Sequence, residues 1–458
     1  MIPMSVAEIA KIVGGVTQHA DVSARVHEVV TDSRQVAPGA MFVAIRGVNV
    51  DGHDFAASAV QNGAAIVLAS RPLNVPCIVV ADPVLALGVL AHWVRESTLS
   101  AIVIGITGSS GKTSTKDLLA QVLGAAGPTV SAPGSFNTEV GVPLTILQAD
   151  VSTEFLVLEM GMRGAGHLTY LTEIAEPEIA AIVNIGSAHV GVVGTLEMVA
   201  RAKGEIIATL PRSGFAILNG DDHLVMEQAT RTVARVVTCG EGSHCDVRAT
   251  DIRVDGQARA AFTLTIGEMS TPIRLQLHGR HFVSNALIAA GVAHSLEIDI
   301  ETIAMALRAA NPVSKWRMEV HQLSSGVTLI NDAYNANPDS VRAAIDTLAA
   351  MAAGRRTWLI LGEMRELGEA AEMEHAKIGE YAAQRGIDEL LCVGEGARAA
   401  HQSTQETALV HSSWVADPQG AISALQGSLV SGDVALIKAS RGIGLEVVAS
   451  ALLRAGTE

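Results

Sequence analysis

Short apolar runs rich in Val, Ile and Leu recur along the whole chain, and most of them end in glycine or polar residues before a helical stretch. Such runs are typical of buried strands in a parallel sheet whose two faces are covered by helices. The first part of the chain shows this rhythm in VHEVVTDSR, AMFVAIRG, AAIVLAS and PCIVVAD, with a helical stretch over residues 54–62. The pattern therefore predicts an α/β protein.

The same rhythm divides the chain of 458 residues into three units, and a chain of this length suggests about three domains of 100 to 200 residues each. We predict a small N-terminal α/β domain over 1–98, a central parallel-sheet domain over 99–312 and a C-terminal Rossmann-like domain over 313–458. Within the central domain, residues 246–278 alternate apolar and polar positions in the manner of antiparallel strands. Residues 195–210 predict one amphipathic helix that carries Lys203.

The stretch AIVIGITGSSGKTST, residues 101–115, predicts a phosphate-binding loop between a strand and a helix. Gly108 and Gly111 allow backbone N–H groups to curl around an anion, and the helix directs the positive end of its dipole to the same place. Lys112 supplies a charge for the outer phosphates, and the hydroxyl of Thr113 takes the position that holds Mg²⁺ in such loops. The general pattern asks for glycine where this chain has Ile106, so an ordinary strand-to-helix turn is the alternative.

Polar side chains follow two of the predicted central strands. Glu159 closes the strand FLVLE, and residues 184–189 come directly after AAIVN. Ligands of parallel sheets bind at the carboxyl ends of the strands, and carboxylate oxygens suit Mg²⁺. Glu159 is therefore a candidate metal ligand, with a capping or salt-bridged glutamate as the alternative. A single histidine such as His189 is ordinarily a core or surface residue, and an isolated lysine such as Lys203 is ordinarily a solvated charge.

Further polar groups collect in the first and third units. Residues 32–55 carry more charged and amide side chains than a simple surface loop needs, although a solvated loop is the alternative. The strands of the third unit also end in polar or glycine residues. The residues concerned are Ser33, Arg34, Arg46, Asn49, Asp51 and His53 in the first unit, Asp332, Tyr334, Asn335, Glu363, Lys438 and Arg441 in the third, and His281 and Asn285 at the entry to a helix over 283–296.

Composition argues against several classes of protein. The formal net charge of −15, without a dense Lys/Arg stripe, argues against a nucleic-acid partner. The hydrophobic fraction is 49% and the mean hydropathy is +0.34, yet no apolar run approaches the ~18 residues of a membrane span. The start of the chain lacks the basic and apolar regions of a secretory signal, so we expect a cytoplasmic protein without membrane insertion.

Eight segments, spread over all three units, resemble one known family. In chain order they are GITGSSGKTST, SFNTEVGVPLT, VLEMGMRG, NIGSAHVG, ARAKGEI, GRHFVSNAL, WRMEV and NDAYNANPDS. Together they resemble the Mur ligase family over essentially the whole chain, and the phosphate loop with Ile106 is similar to the short loop of that family. The opening DSRQVAPGAMFVAIRG with DGHDF resembles the nucleotide-sugar domain of its later members, and DAYNANPDSVRAAI with LGEMRELG resembles the member that adds a dipeptide.

The resemblance implies an ATP-dependent amide-bond ligase that works through an acyl phosphate. It implies UDP-N-acetylmuramoyl-tripeptide and D-alanyl-D-alanine as substrates, in the cytoplasmic synthesis of peptidoglycan precursors. The implied cofactors are ATP and Mg²⁺, with two metal ions, and the family also implies a carbamylated Lys203. We expect a monomer.

The site residues of the family are carried over to the matching positions of this chain. Those expected to bind ATP are Gly108, Ser109, Ser110, Gly111, Lys112, Thr113, Ser114, His281, Asn285, Asp332, Tyr334 and Asn335, together with Arg317, which reaches the γ-phosphate across a cleft. The expected metal ligands are Thr113, Glu159, His189 and Lys203, and the expected catalytic residues are Lys112, Lys203, His189 and Arg317. Ser33, Arg34 and Phe42 are expected at the uridine nucleotide, Asn137 and Thr138 nearer the sugar-peptide, and Lys438 and Arg441 at the dipeptide carboxylate. Arg46 is also expected to bind the substrate.

Two departures from the family pattern stand out. Relatives often carry an acid shortly after the position of His189, but residues 190–193 read VGVV, and His167 stands where another polar group is common and receives no role. A sibling ligase that adds a single amino acid, a folate or poly-amino-acid ligase, and a P-loop kinase, ATPase or binding module remain as alternatives. The N-terminal DSR segment argues against the folate type. The presence of all four of the residues Lys112, Glu159, Lys203 and Arg317 argues against a degenerate module.

Overall fold

A computed structural model of the protein describes residues 1–188, 190–405 and 411–455. The described residues form three α/β units, each built on one main sheet, and the N-terminal unit also contains a two-stranded antiparallel sheet of residues 4–5 and 25–26. No described helix is long and apolar enough to cross a membrane.

The N-terminal unit contains a small, mostly parallel sheet. Its elements are β1 (Met4–Ser5), α1 (Val6–Ile12), β2 (Val16–Gln18), β3 (Arg25–Val26), β4 (Glu28–Val30), β5 (Ala40–Val43), α2 (Ala56–Gln61), β6 (Ile66–Ala69), β7 (Cys77–Val79) and α3 (Pro83–Thr98). The strand order is β2-β7-β6-β5-β4, with β2 antiparallel and the other neighbours parallel. Helix α3 starts sharply because Asp82 accepts hydrogen bonds from the first-turn N–H groups and Pro83 occupies the first helical position.

The central unit holds the largest sheet of the protein. Its elements are β8 (Ile102–Thr107), α4 (Lys112–Gly124), β9 (Thr129–Ser131), α5 (Gly141–Ile146), β10 (Phe155–Glu159), α6 (His167–Ala175), β11 (Ile179–Ile182), α7 (Val190–Val193), α8 (Leu196–Lys203), α9 (Glu205–Ala208), β12 (Phe215–Asn219), α10 (His223–Glu227), β13 (Arg235–Gly240), β14 (Val247–Val254), β15 (Arg259–Ile266), β16 (Met269–His278), α11 (Phe282–Ser295) and α12 (Ile300–Ala309). The strand order is β16-β15-β14-β13-β12-β11-β8-β10-β9, and the phosphate-loop strand β8 lies between β11 and β10. Strands β14, β15 and β16 pair antiparallel, as the alternating pattern of residues 246–278 predicted.

The C-terminal unit is a doubly wound parallel sheet with one antiparallel edge strand. Its elements are β17 (Glu319–Gln322), β18 (Thr328–Asp332), α13 (Pro338–Ala352), β19 (Thr357–Gly362), α14 (Ala371–Gln384), β20 (Glu389–Val393), α15 (Arg398–Gln405), β21 (His411–Val415), α16 (Pro418–Leu425), β22 (Val434–Lys438) and α17 (Glu446–Ala455). The strand order is β17-β18-β22-β19-β20-β21, and only β17 is antiparallel to its neighbour among the described strands. The predicted α/β class is therefore confirmed in all three units.

The prediction of one continuous helix over residues 195–210 is wrong. The segment breaks at Gly204 into α8 and α9. The Arg231 guanidinium lies at the break and donates a hydrogen bond to the backbone oxygen of Arg201. A Cβ atom at position 204 would lie 2.5 Å from Arg231 Nη1, so any larger residue there would force the guanidinium to move.

The central unit packs against both of its neighbours. Helix α3 of the N-terminal unit lies on α5 and α6, where the Arg95 guanidinium pairs with Glu178 at 2.6 Å. A continuous apolar cluster joins the central sheet to helices α13 and α14 of the C-terminal unit. The carboxyl ends of β8, β10 and β11 thereby face the first loop of the third sheet.

Candidate active site between the central and C-terminal domains

The loop over residues 108–111 joins β8 to α4 and has the form of a phosphate cradle. Gly111 has φ +74°, and a Cβ atom there would lie 2.8 Å from Asn285 Oδ1, so both the conformation and the space require glycine. Asn184 Oδ1 accepts hydrogen bonds from the backbone N–H groups of Ser109 and Ser110, at 3.0 and 2.9 Å. No described side chain caps the N-terminus of α4. Its first N–H groups are thus positioned for an anionic ligand.

Lys112 begins α4 and folds back over the loop. Its ammonium donates a hydrogen bond to the backbone oxygen of Gly108 at 2.6 Å. Burial lowers the pKa of Lys112, while the nearby charge of Glu159 opposes that shift. The lysine therefore places a positive charge directly at the mouth of the cradle.

Glu159 ends β10 beside the first turn of α4, and its carboxylate is buried. Thr113 Oγ1 donates a hydrogen bond to Glu159 Oε2 at 2.6 Å, and Asn137 Nδ2 donates to Glu159 Oε1 at 2.6 Å. The Ser135 hydroxyl lies 2.8 Å from Thr113 Oγ1. A carboxylate and two hydroxyls, all hard oxygen groups, converge next to the phosphate cradle.

Lys203 ends α8 and is fully buried, so the solvated charge expected of an isolated lysine is not observed. Its Nζ atom has no hydrogen-bond partner among the described residues. Burial lowers the pKa of Lys203 well below its ordinary value, and the positive charge of Lys112 acts in the same direction. The side chain is therefore held toward its neutral amine form.

The C-terminal domain contributes the opposite wall of the cavity. Arg317 Nη2 donates a hydrogen bond to Ser135 Oγ at 2.8 Å, and its guanidinium lies 4.2 Å from the centroid of the Tyr334 ring. Asn337 Nδ2 donates to the backbone oxygen of Ser109 at 3.4 Å. Arg317 and Asn337 thus reach across to the phosphate-loop side of the cleft.

The loop that follows β18 is held by a buried ion pair. Lys438 Nζ lies 2.6 Å from Asp332 Oδ2 and donates to the backbone oxygen of Asn335 at 2.9 Å. Asp332 Oδ1 accepts a hydrogen bond from the backbone N–H of Met318 at 3.2 Å. The Lys438 ammonium is therefore paired within the protein, where it holds the loop in its conformation.

Two buried polar atoms from the entry of α11 complete the cavity wall. His281 Nδ1 and Asn285 Nδ2 have no hydrogen-bond partner among the described residues. Burial lowers the pKa of His281 to about 4, so its ring is neutral at pH 7. Buried polar groups are ordinarily paired, so these two atoms indicate a polar ligand in the adjoining space.

These walls enclose a cavity of about 670 Å³, within the size range of small-molecule sites. It collects most of the residues predicted from sequence for ATP and metal. Its predicted members are Ser109, Ser110, Gly111, Lys112, Thr113, Ser114, Asn137, Thr138, Glu159, His281, Asn285, Arg317, Asp332, Tyr334, Asn335 and Lys438. Gly108 adjoins the cavity through its hydrogen bond to Lys112. Lys203 is close enough to Lys112 for their charges to interact. His189 lies outside the described residues.

The predicted substrate residues of the N-terminal domain lie apart from this cavity. The Arg34 side chain is 87% exposed and pairs with Asp32 at 2.6 Å. Phe42 is only 1% exposed and belongs to the apolar core of its own sheet, so its ring is not available for stacking on a ligand. Arg441 is also outside the cavity lining, with its guanidinium 4.7 Å from the Trp316 ring centroid and 5.3 Å from that of Tyr334.

The sequence predictions missed several groups that the fold places in the cavity. Ser135 opens the motif SFNTEVGVPLT, and Asn184 opens the segment after β11, so both stood in noted segments without a role. Asn337 and Glu366 follow strands β18 and β19 of the third sheet and line the same cavity. Their positions after strands were the available signal, but only the docking of two domains brings them to the phosphate loop.

The fold and cavity define a multidomain α/β protein with a candidate phosphate-binding site at a domain junction, and comparison with known proteins places it in a family. Three family models match: "Mur ligase family, catalytic domain" over residues 25–97, "Mur ligase middle domain" over 106–293 and "Mur ligase, glutamate ligase domain" over 316–441. The chain belongs to the Mur ligase family, as its motifs predicted.

Within that family the similarity is to one type of ligase. The UDP-N-acetylmuramoyl-tripeptide–D-alanyl-D-alanine ligase of Mycobacterium tuberculosis H37Rv is 42% identical, over 99% of this chain and 98% of the relative. A crystal structure of MurF from Acinetobacter baumannii superposes with a TM-score of 0.88, at 30% identity over 99% of both chains. The structure of MurF ligase from Thermotoga maritima in complex with ADP gives 0.79, at 28% identity over 93% of this chain and 97% of that one. The predicted three-domain fold is confirmed.

Proposed function

We propose that this chain joins D-alanyl-D-alanine to the peptide carboxylate of UDP-N-acetylmuramoyl-tripeptide, with ATP as the energy source and an acyl phosphate as the intermediate. The observation that carries the proposal is the shared cavity, in which a phosphate cradle from one domain faces Arg317 from another. The full-length relatives named for this reaction support the choice of substrates.

ATP would lie with its phosphates on the loop over residues 108–111 and its nucleoside against the C-terminal loop. The open N-terminus of α4 and Lys112 suit the phosphates. The unpaired buried atoms of His281 and Asn285 and the nearby Asp332 loop offer polar contacts for the rest of the nucleotide. The ADP complex of the Thermotoga relative supports a nucleotide in this fold.

The residues around Glu159 fit a magnesium ion. A buried carboxylate with the Thr113 hydroxyl beside it presents the hard oxygen ligands that Mg²⁺ prefers. We assign Thr113 and Glu159 to this ion. When bound, Mg²⁺ would neutralise charge on the phosphates of ATP. A second ion, with His189 and Lys203 as ligands, remains a proposal from the family resemblance.

Lys203 fits the carbamylation that the resemblance implies. A neutral buried amine is the form that adds CO₂, giving a carbamate anion and releasing one proton. The lowered pKa and the lack of a partner among the described residues both favour that form. The product would replace an unfavourably buried amine with a carboxylate-like ligand facing Lys112 and the metal.

The remaining chemistry follows from how the chain's own groups are placed. A carboxylate oxygen of the tripeptide attacks the γ-phosphorus, and ADP leaves. The dipeptide amine then attacks the acyl carbon, loses a proton, and phosphate leaves as the amide forms. Lys112 and Arg317 approach the transferred group from opposite domains and stabilise its developing charge. Closure of the two domains keeps water from the acyl phosphate.

The outer parts of the substrates would follow the edges of the cavity. Ser33, Arg34 and Arg46 remain proposed contacts of the uridine nucleotide, while Phe42 supports that face from the core. Asn137 and Thr138 line the cavity where the sugar-peptide would enter. For the dipeptide carboxylate we retain Arg441 and assign Lys438 to holding the Asp332 loop. We further propose a cytoplasmic location, since ATP and UDP-linked substrates are held in that compartment, and a monomer stays a prediction from the sequence.

A phosphate-release assay tests the function. The purified chain is given ATP, Mg²⁺ and UDP-N-acetylmuramoyl-tripeptide, and then D-alanyl-D-alanine or single amino acids in separate reactions. We expect sustained release only with the dipeptide. Release only with a single amino acid would instead indicate the sibling ligase, and release that needs neither substrate would indicate an ATPase.

A further inference from the structure

We propose that Asp117, which pairs with Lys116, is a positioning residue. It connects the phosphate-loop helix to the interdomain hinge and thereby holds Arg317 in the position that the reaction needs. The hinge is the segment over residues 311–314, between α12 and β17. This inference rests on the function proposed above, because it assigns a task to the residues behind Arg317.

The first tie joins α4 to the hinge. Asp117, in the second turn of α4, accepts a hydrogen bond at Oδ2 from the backbone N–H of Ser314, at 3.1 Å. One turn further along, the side-chain amide of Gln121 exchanges two hydrogen bonds with the backbone of Asn311, at 3.0 and 3.1 Å. Residues four apart share a helix face. One face of the phosphate-loop helix therefore grips the hinge three residues before Arg317.

The second tie joins α4 to the loop that receives Arg317. Lys116 Nζ lies 2.7 Å from Asp117 Oδ1 and donates hydrogen bonds to two backbone oxygens of the loop over 132–134. The next residue, Ser135, accepts the hydrogen bond from Arg317 Nη2 at 2.8 Å. One ion pair thus holds the hinge with its acid and the receiving loop with its base.

Burial makes this ion pair a rigid connection. Lys116 and Asp117 are both buried, and neither belongs to the lining of the cavity that contains the phosphate loop. A buried ion pair contributes little net stability because desolvation offsets the attraction. Its hydrogen bonds run to the hinge before Arg317 and to the loop that precedes Ser135. We therefore expect the pair to affect the position of Arg317 more than the stability of the fold.

The backbone around Arg317 shows why such a restraint matters. Trp316 and Met318, on either side of it, have φ values of +61° and +50°. Left-handed conformations of side-chain-bearing residues are strained and persist only where the surroundings enforce them. Met318 is held by Asp332, and the preceding side is held by the hinge. Without the Asp117 tie, we expect this turn to relax and Arg317 to shift.

The first test is a double-mutant cycle on kcat, corrected for the folded fraction. Asp117→Ala should lower kcat by about 10- to 100-fold, since displacements near 1 Å have that effect, while the ATP Kd changes by less than about threefold. In an Arg317→Lys background, which keeps a cation and a measurable rate, the same substitution should lower kcat by less than about threefold. Asp117→Asn, which retains an oxygen for Ser314, should restore most of the rate.

A matched control separates positioning from stability. Asp433 is a buried acid of the C-terminal sheet that pairs with Arg356 at 2.6 Å, away from the cavity. Asp433→Ala should reduce stability but leave kcat per folded molecule unchanged. Hydrogen exchange of the hinge amides should quicken in Asp117→Ala and not in Asp433→Ala. If Asp117→Ala does not fold, Gln121→Ala replaces it, because Gln121 is half-buried and binds the same hinge. Its loss of kcat should be smaller, and it should again be weaker in the Arg317→Lys background.

The outcomes are distinct from those that test the function. If the wild-type chain is active and Asp117→Ala has wild-type kcat, or loses equally in both Arg317 backgrounds, the positioning role is overturned. A wild-type chain without dipeptide-dependent phosphate release overturns the proposed function instead.

Discussion

Replacing Arg317 with alanine removes a cation that the C-terminal domain places beside the phosphate loop. The guanidinium holds Ser135 Oγ at 2.8 Å and lies over the Tyr334 ring at 4.2 Å, while its buried Nε has no hydrogen-bond partner among the described residues. The Arg317 side chain is thus held by Ser135 and Tyr334, and its Nε–H group is left to donate a hydrogen bond to a ligand. Removing one such preorganised donor lowers kcat by about 10²- to 10³-fold, or ~2.7–4 kcal/mol of transition-state stabilisation.

The loss should fall on the rate and not on nucleotide binding. The loop, Lys112 and the N-terminus of α4 are untouched by Arg317→Ala, so we expect the ATP Kd from calorimetry to change by less than about threefold. Arg385→Ala is the matched control, since Arg385 pairs with Asp346 at 2.5 Å and lies 5.7 Å from the Tyr381 ring, outside the cavity. Undiminished dipeptide-dependent phosphate release in Arg317→Ala would refute the reasoning.

Three further predictions follow from buried groups and close contacts. Lys203, labelled with ¹³CO₂, should give a carbamate carbon signal in NMR spectra that is absent in Lys203→Met; the same spectrum for both proteins would refute the assignment. Because burial holds the pKa of His281 at about 4 against 6.5 unfolded, the unfolded state binds more protons between those values. Stability should therefore fall as pH drops from 6.5 to 4, by up to ~3 kcal/mol, and a denaturant series of His281→Asn should lack this share of the decline. Gly191→Ala would place a Cβ 2.4 Å from the backbone nitrogen of Gly368 in the C-terminal domain, so it should hinder domain closure and lower kcat while ATP still binds. Gly124→Ala is the control, because the space around its Cβ is open. The same kcat for the Gly191→Ala and Gly124→Ala variants would contradict this prediction.

Local chemistry was predictable from the sequence where it depends on neighbouring residues. The strand, the glycines and the Lys-Thr pair of residues 101–115 specify a phosphate loop because each acts within one turn of the next. Glu159 was placed at the cavity by the general rule that strand ends gather at one edge of a sheet. The same rule indicated Asp332 and its neighbours in the third sheet.

Burial and domain docking were not predictable in this way. An isolated lysine on an amphipathic helix predicts a solvated charge, whereas tertiary packing buries Lys203. The Arg231 guanidinium that lies at the break near Gly204 comes from 27 positions further along the chain. The tie between Asp117 and Ser314 spans 197 positions. Such contacts follow from how whole domains meet, which local patterns do not encode.

The central claim is that the peptide carboxylate is activated by phosphorylation, and oxygen transfer tests it directly. UDP-N-acetylmuramoyl-tripeptide labelled with ¹⁸O in both oxygens of its terminal carboxylate is incubated with the chain, ATP, Mg²⁺ and D-alanyl-D-alanine. The released phosphate and the amide product are then analysed by mass spectrometry. The account predicts one ¹⁸O atom in each phosphate released and a product that carries both alanine residues; unlabelled phosphate, or an unextended peptide, would contradict it.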